Sequence, residues 1–129
     1  MDYVNCELCP RRCGAARPEK SGRCRVSRLR VGRAAPHFGE EPCISGTRGS
    51  GAIFFSGCNL HCAFCQNEAI SHGGEGEYVT PARLSQIFRE LEEQGAHNIN
   101  LVTPTHFVPS IKEAITEARA LGLSLPIVY

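Results

Sequence analysis

The chain has 129 residues and a formal net charge of +1, with 14 Lys and Arg set against 13 Asp and Glu. That length suits one small domain with a modest core, and the interspersed charges leave no footprint for a polyanionic partner or an anionic membrane. No stretch reaches the ~18 apolar residues of a membrane span, and MDYVNCELCP lacks the basic and apolar regions of a signal peptide, so the sequence reads as soluble and cytoplasmic.

Residues 1–50 form a Cys-rich, loop-dominated segment without a long apolar period. CELCPRRCGAARPEKSGRC places Cys6, Cys9, Cys13 and Cys24 in a C-x2-C-x3-C-x10-C spacing, and Cys43 follows in EEPCISG. All eight cysteines lie at or before residue 65. A secreted disulfide scaffold has such a count, but the absent leader and the cysteine-free second half favour metal ligation in a reducing compartment. With little apolar sequence of its own, this segment is expected to be held by side-chain chemistry. Cys6, Cys9, Cys13 and Cys24 are a candidate second metal site, with zinc or a second cluster as occupant; free thiols and oxidised pairs are the alternatives. RRCGAAR is a small basic patch without interleaved aromatics, which argues against nucleic acid. LRVGRAAPHFGEEP supplies a short strand or hairpin, and EEPCISG brings Glu40, Glu41 or Cys43 toward a cofactor mouth.

Residues 51–129 read as α/β. AIFF (52–55) is a buried strand. TPARLSQIFRELEEQG is a helix with Thr80 as N-cap, Pro81 at the first helical position and Gly95 as terminator. Leu84, Ile87, Phe88 and Leu91 make one apolar stripe. NINLV (98–102) is a second strand, and PSIKEAITEARALG a second helix, with Ile111, Ala114, Ile115, Ala118 and Leu121 on its inner face and Gly122 closing it. LSLPIVY supplies a third strand. This βαβαβ order predicts a parallel sheet. No helix follows the third strand to cover it, so the chain reads as the first part of a larger α/β barrel or open sheet, truncated after that strand.

Between the first strand and first helix lies SGCNLHCAFCQNEAI, with Cys58, Cys62 and Cys65 in a C-x3-C-x2-C spacing. Three thiolates on one tight loop suit three corners of a cubane iron–sulfur cluster and leave its fourth iron open to an exogenous molecule. Four-cysteine clusters fill that position, and structural zinc sites are likewise closed. The loop follows a strand directly, where ligands sit in parallel α/β folds. The competing reading is zinc held by these three cysteines with His61 or a distant cysteine. SHGGEG (71–76) precedes the helix and reads as a flexible loop.

The triad, with aromatic Phe64 immediately before its last cysteine, resembles the signature of the radical S-adenosylmethionine enzymes. GSGAIFFSGCNLHCAFCQNEAIS looks like the branch related to the activating enzyme of pyruvate formate-lyase, and CELCPRRCGAAR, SGRC, EPCISG and LVTPTHFVP resemble a group of its homologues. The resemblance implies a partial (βα) barrel with parallel strands over residues 51–129, preceded by the Cys-rich segment 1–50. It implies a 4Fe–4S cluster on Cys58, Cys62 and Cys65, with the amino and carboxylate groups of S-adenosylmethionine on the open iron and the residue at Phe64 beside the adenine. Reductive cleavage then yields a 5′-deoxyadenosyl radical that abstracts hydrogen, an oxidoreductase chemistry. Implied partners are a reductant such as flavodoxin or ferredoxin and a glycyl-radical-type protein substrate. One departure is clear. Many members carry a glycine-rich GGEP-like segment after the second strand, where this chain has TPTH (103–106), so Thr103, Thr105 and His106 are the candidate cofactor contacts there. A non-catalytic zinc or iron–sulfur binding module is the alternative function.

Overall fold

The computed structural model describes residues 5–17, 19–72 and 74–129. Gly73, inside the stretch read as a flexible loop, and residues 1–4 of the segment searched for a leader lie outside them. The strands are β1 (Arg30–His37), β2 (Ser50–Phe55), β3 (Glu77–Tyr78), β4 (Ile99–Val102) and β5 (Ile127–Val128). The helices are α1 (Pro42–Ser45), α2 (Glu68–Ser71), α3 (Pro81–Glu93) and α4 (Val108–Ala120), the last entered through a 3-10 turn at Thr105–Phe107. One sheet runs in the order β3-β1-β2-β4-β5.

The three expected strands pair in parallel at the centre and one end of this sheet. Ile53 lies opposite Leu101 across β2 and β4, and Ile99 opposite Ile127 across β4 and β5. The all-parallel expectation is corrected to a mixed sheet, because β1 runs antiparallel to both β2 and β3. RVGRAAPH alternates poorly, Gly32 sits at a bulge between Val31 and Arg33, and Pro36 interrupts the donor row. Pairing with an already buried neighbour, more than any period of its own, makes this segment a strand. The segment therefore joins the sheet. Cys24, Val26, Leu29 and Val31 also enter the main core, so the expected lack of a core share does not hold for that part of it.

Side-chain alternation divides the sheet into two faces. Ile53, Phe55, Ile99 and Leu101 point into the core with the two long helices. Ala52 and Phe54, beside Asn100 and Val102 in register, form the opposite face. The α3 stripe behaves as its spacing requires: Leu84, Ile87, Phe88 and Leu91 are all buried, each contributing roughly 1.5–3 kcal/mol by leaving water. Thr80 caps this helix by accepting from the Arg83 N–H at 3.1 Å, an arrangement typically worth ~1 kcal/mol. On α4, Ile111, Ala114 and Ala118 are buried, but Leu121 is 53% exposed. It stands at the C-cap, where the helix stops before it can turn that side chain inward.

Candidate functional site: a three-cysteine loop at the strand ends

Directly after β2 the chain makes a closed loop. The Gly57 N–H donates to the Ile70 carbonyl at 3.0 Å, tying the two ends of residues 57–70 together. Such a loop is compact because its ends meet. Cys58, Cys62 and Cys65 all lie within it; Cys62 is exposed and the other two are half-buried. The Leu60 N–H points at Cys58 Sγ at 3.3 Å, Cys65 Sγ lies 3.2 Å from Ser71 Oγ, and the Cys65 N–H donates to the Cys62 carbonyl at 3.3 Å. Contacts of the first two kinds orient the sulfurs of Cys58 and Cys65 on the loop. Among the described residues no three His, Cys, Asp or Glu stand at metal-ligand spacing, so a cluster would draw the sulfurs together by side-chain rotation on this backbone.

Beside the loop, at Phe54 near the end of β2 and Val102 at the end of β4, a largely polar cavity of about 440 Å³ opens. Gln66 and Asn67, the two residues after Cys65, line it with His37 and Glu40. Its size is that of a small-molecule or cofactor site. The sequence had drawn Glu40 toward a cofactor mouth and the structure places it here. Cys43 is exposed and does not line the cavity. Gln66, Asn67 and His37 were missed; adjacency to Cys65 was the one available signal for the first two.

The remaining candidates are distributed differently. Phe64 is 91% exposed. Thr103, at the end of β4, has a left-handed backbone with φ 58°, a conformation that clusters at functional sites. The hydroxyl of Thr105 lies 3.0 Å from that of Tyr129. His106 is buried beneath the loop, its Nε2 2.8 Å from the carbonyl of Ser56, two residues before Cys58. A carbonyl only accepts, so Nε2 carries the proton, and buried Nδ1 has no hydrogen-bond partner. His61 packs edge-on against His72, with ring centroids 5.3 Å apart. Burial, then the charges of Arg25, His72 and Arg11, hold its imidazole below the ordinary value.

The Cys-rich segment reaches this loop through its arginines. Arg11 donates to the carbonyls of Asn59 at 2.7 Å and Leu60 at 3.1 Å. Arg17 is almost wholly buried; it donates to the carbonyls of Ser27 at 3.2 Å and His106 at 2.9 Å, and its guanidinium lies 5.4 Å from the Phe107 ring centroid. Of the basic patch, Arg17 faces inward and exposed Arg11 lies across the loop surface, both as structural donors.

The sequence model of the radical SAM superfamily matches residues 52–127. The chain belongs to the radical SAM superfamily. An uncharacterised protein of Methanocaldococcus jannaschii is 29% identical over 136 aligned positions, covering 98% of this chain and 38% of that protein. This chain thus spans about two fifths of that relative's length. No solved structure matches it. Membership in the radical SAM superfamily implies a 4Fe–4S cluster and S-adenosylmethionine as cofactors. Among the described residues no helix is long and apolar enough to cross a membrane.

Burial, foremost, pushes the His106 imidazole down to about 4, with Arg17 adding to it and the hydrogen bond to Ser56 opposing. The folded pKa lies below the unfolded value of ~6.5, so folding excludes a proton that the unfolded chain binds between those values. The contribution of His106 to stability is fully present above pH ~6.5 and is lost as the pH drops toward 4, by about 3 kcal/mol in total. Urea unfolding at pH 7.5 and 4.5 is expected to show this loss, and His106→Gln to flatten it. An equal loss in both proteins would remove His106 as its source.

Proposed function

We propose that Cys58, Cys62 and Cys65 ligate three irons of a 4Fe–4S cluster, and that S-adenosylmethionine occupies the remaining iron and the cavity beside the loop. The observation that carries this reading is the placement of three cysteines on one closed loop beside a polar cavity at the same ends of β2 and β4. The cluster, when bound, supplies one electron to the sulfonium, releasing methionine and a 5′-deoxyadenosyl radical able to take hydrogen from a substrate.

The chain's own residues hold and orient. The Leu60 N–H and Ser71 Oγ orient the sulfurs of Cys58 and Cys65. His106 anchors the backbone at Ser56, where the loop begins. Gln66, Asn67 and Glu40 offer polar contacts to the methionyl and ribose groups, with Thr103 and Thr105 at the end of β4 as further donors. Phe64 is assigned to the adenine, the role its place in the motif implies. The resemblance to activating enzymes extends the proposal to hydrogen abstraction from a glycine of a partner protein, with flavodoxin or ferredoxin as reductant.

Anaerobic reconstitution, reduction and addition of S-adenosylmethionine test this by electron paramagnetic resonance. A cluster signal whose shape changes on addition is the expected result. A spectrum unchanged at saturating cofactor would count against the open iron, and a colourless zinc-loaded protein would support the non-catalytic binding module instead.

A further inference from the structure

Four cysteines, Cys6, Cys9, Cys13 and Cys24, have no part in that chemistry; among the described residues no three of them stand at metal spacing, but the fold holds them on one short, turned segment and brings two of their sulfurs to one point. The Cys6 N–H donates to the Ala15 carbonyl at 3.0 Å and the Gly14 N–H to the Cys6 carbonyl at 3.1 Å; between these limbs the Arg12 N–H donates to the Cys9 carbonyl at 3.0 Å. A second limb then returns. A Cβ on Gly22 would stand 3.0 Å from Cys13 Sγ and 3.7 Å from Cys24 Sγ, so both sulfurs converge on the same glycine. Buried Arg17 has Nη1 3.7 Å from Cys6 Sγ. Backbone beside three of these cysteines is left-handed, at Asn5, Arg12, Gly14 and Arg25 with φ of 56°, 39°, 63° and 65°. Only one of those four is glycine, and such a backbone persists where its surroundings over-determine it.

We propose that Cys6, Cys9, Cys13 and Cys24 bind one zinc ion as a closed four-thiolate site that staples the N-terminal segment to the loop bearing Cys58, Cys62 and Cys65. Four thiolates with no open position are the ligand set of structural zinc. The two negative charges left on a four-thiolate zinc site would meet the guanidinium of Arg17, whose Nη1 lies 3.7 Å from Cys6 Sγ. Cys6 and Cys24 are already inside. Half-buried Cys9 and exposed Cys13 complete the site by turning about χ1.

The staple follows from two contacts. Arg11, between Cys9 and Cys13, holds the carbonyls of Asn59 and Leu60. The Cys24 carbonyl accepts from the Cys58 N–H at 3.2 Å, so one residue ligates the zinc through its sulfur and braces a loop cysteine through its backbone.

The 129-residue chain carrying Cys58→Ala, Cys62→Ala and Cys65→Ala tests this independently of the proposed function, because no loop thiol remains. Zinc added to that protein should remain at about one equivalent against a competing chelator. Cobalt(II) in its place should give the intense visible bands and sulfur-to-metal charge transfer of a tetrahedral thiolate site. Cys9→Ser in the same background should weaken zinc retention at least about tenfold, and Cys43→Ser should leave it unchanged. Should Cys9→Ser fail to fold, the cobalt spectrum of its parent decides. No retained zinc and no charge-transfer band would overturn the site, and iron with sulfide in its place would overturn the ion. Removing zinc should speed protease cleavage within residues 57–70; unchanged cleavage would overturn the staple.

Discussion

Replacing any one of Cys58, Cys62 or Cys65 with Ala is expected to reduce reconstituted iron from about four atoms per chain to below about one. On the proposed assignment each substitution removes the thiolate of one corner iron, and the loop holds no further cysteine to replace it. The protein itself should remain folded. Cys62 is exposed and the other two half-buried, and none belongs to the apolar core, so each change should move stability by less than about 0.5 kcal/mol. Iron and sulfide analysis beside urea unfolding separates the two effects. Full iron in all three variants would defeat the ligand assignment; loss of iron with loss of the fold would give these cysteines a structural role.

Gly57→Ala should damage the loop strongly while leaving every cysteine in place. Gly57 has φ 76°, where an L side chain is strained. Its Cβ would also stand 2.3 Å from the Cys24 carbonyl oxygen and 2.8 Å from Val26 Cγ2. The first of these is backbone and cannot yield by changing rotamer. Relief requires separating the N-terminal segment from the loop, which breaks the hydrogen bond from the Cys58 N–H to the Cys24 carbonyl. A loss of about 4 kcal/mol is expected, read as a lower urea midpoint and faster proteolysis of residues 5–26. An unchanged midpoint would show that the segment and the loop do not pack through Gly57.

The candidate site was legible to the extent that its determinants are local. A C-x3-C-x2-C spacing after an apolar run is a pattern of neighbours, and it led to the loop that the structure closes between Gly57 and Ile70. TPTH was placed correctly after the second central strand, but its members diverge: Thr105 meets Tyr129 and His106 turns under the loop. Nothing in four consecutive residues distinguishes a histidine that faces a cavity from one that anchors a neighbouring backbone. β1 was harder still, since Gly32 and Pro36 break its alternation and a partner strand decides its pairing.

By itself, the sequence determined what short-range periodicity and spacing can encode. Leu84, Ile87, Phe88 and Leu91 share a face because a helix repeats every 3.6 residues, and Thr80 caps because its hydroxyl reaches the Arg83 N–H within the same turn. Tertiary structure alone decided that Arg11 grips carbonyls 48 and 49 residues away, and that Arg17 is buried against the carbonyl of His106, 89 residues away. An arginine carries the same charge and the same five donors wherever it stands. Which carbonyls it meets depends on how the completed sheet folds the N-terminal segment back over the cysteine loop, and no local pattern contains that distance.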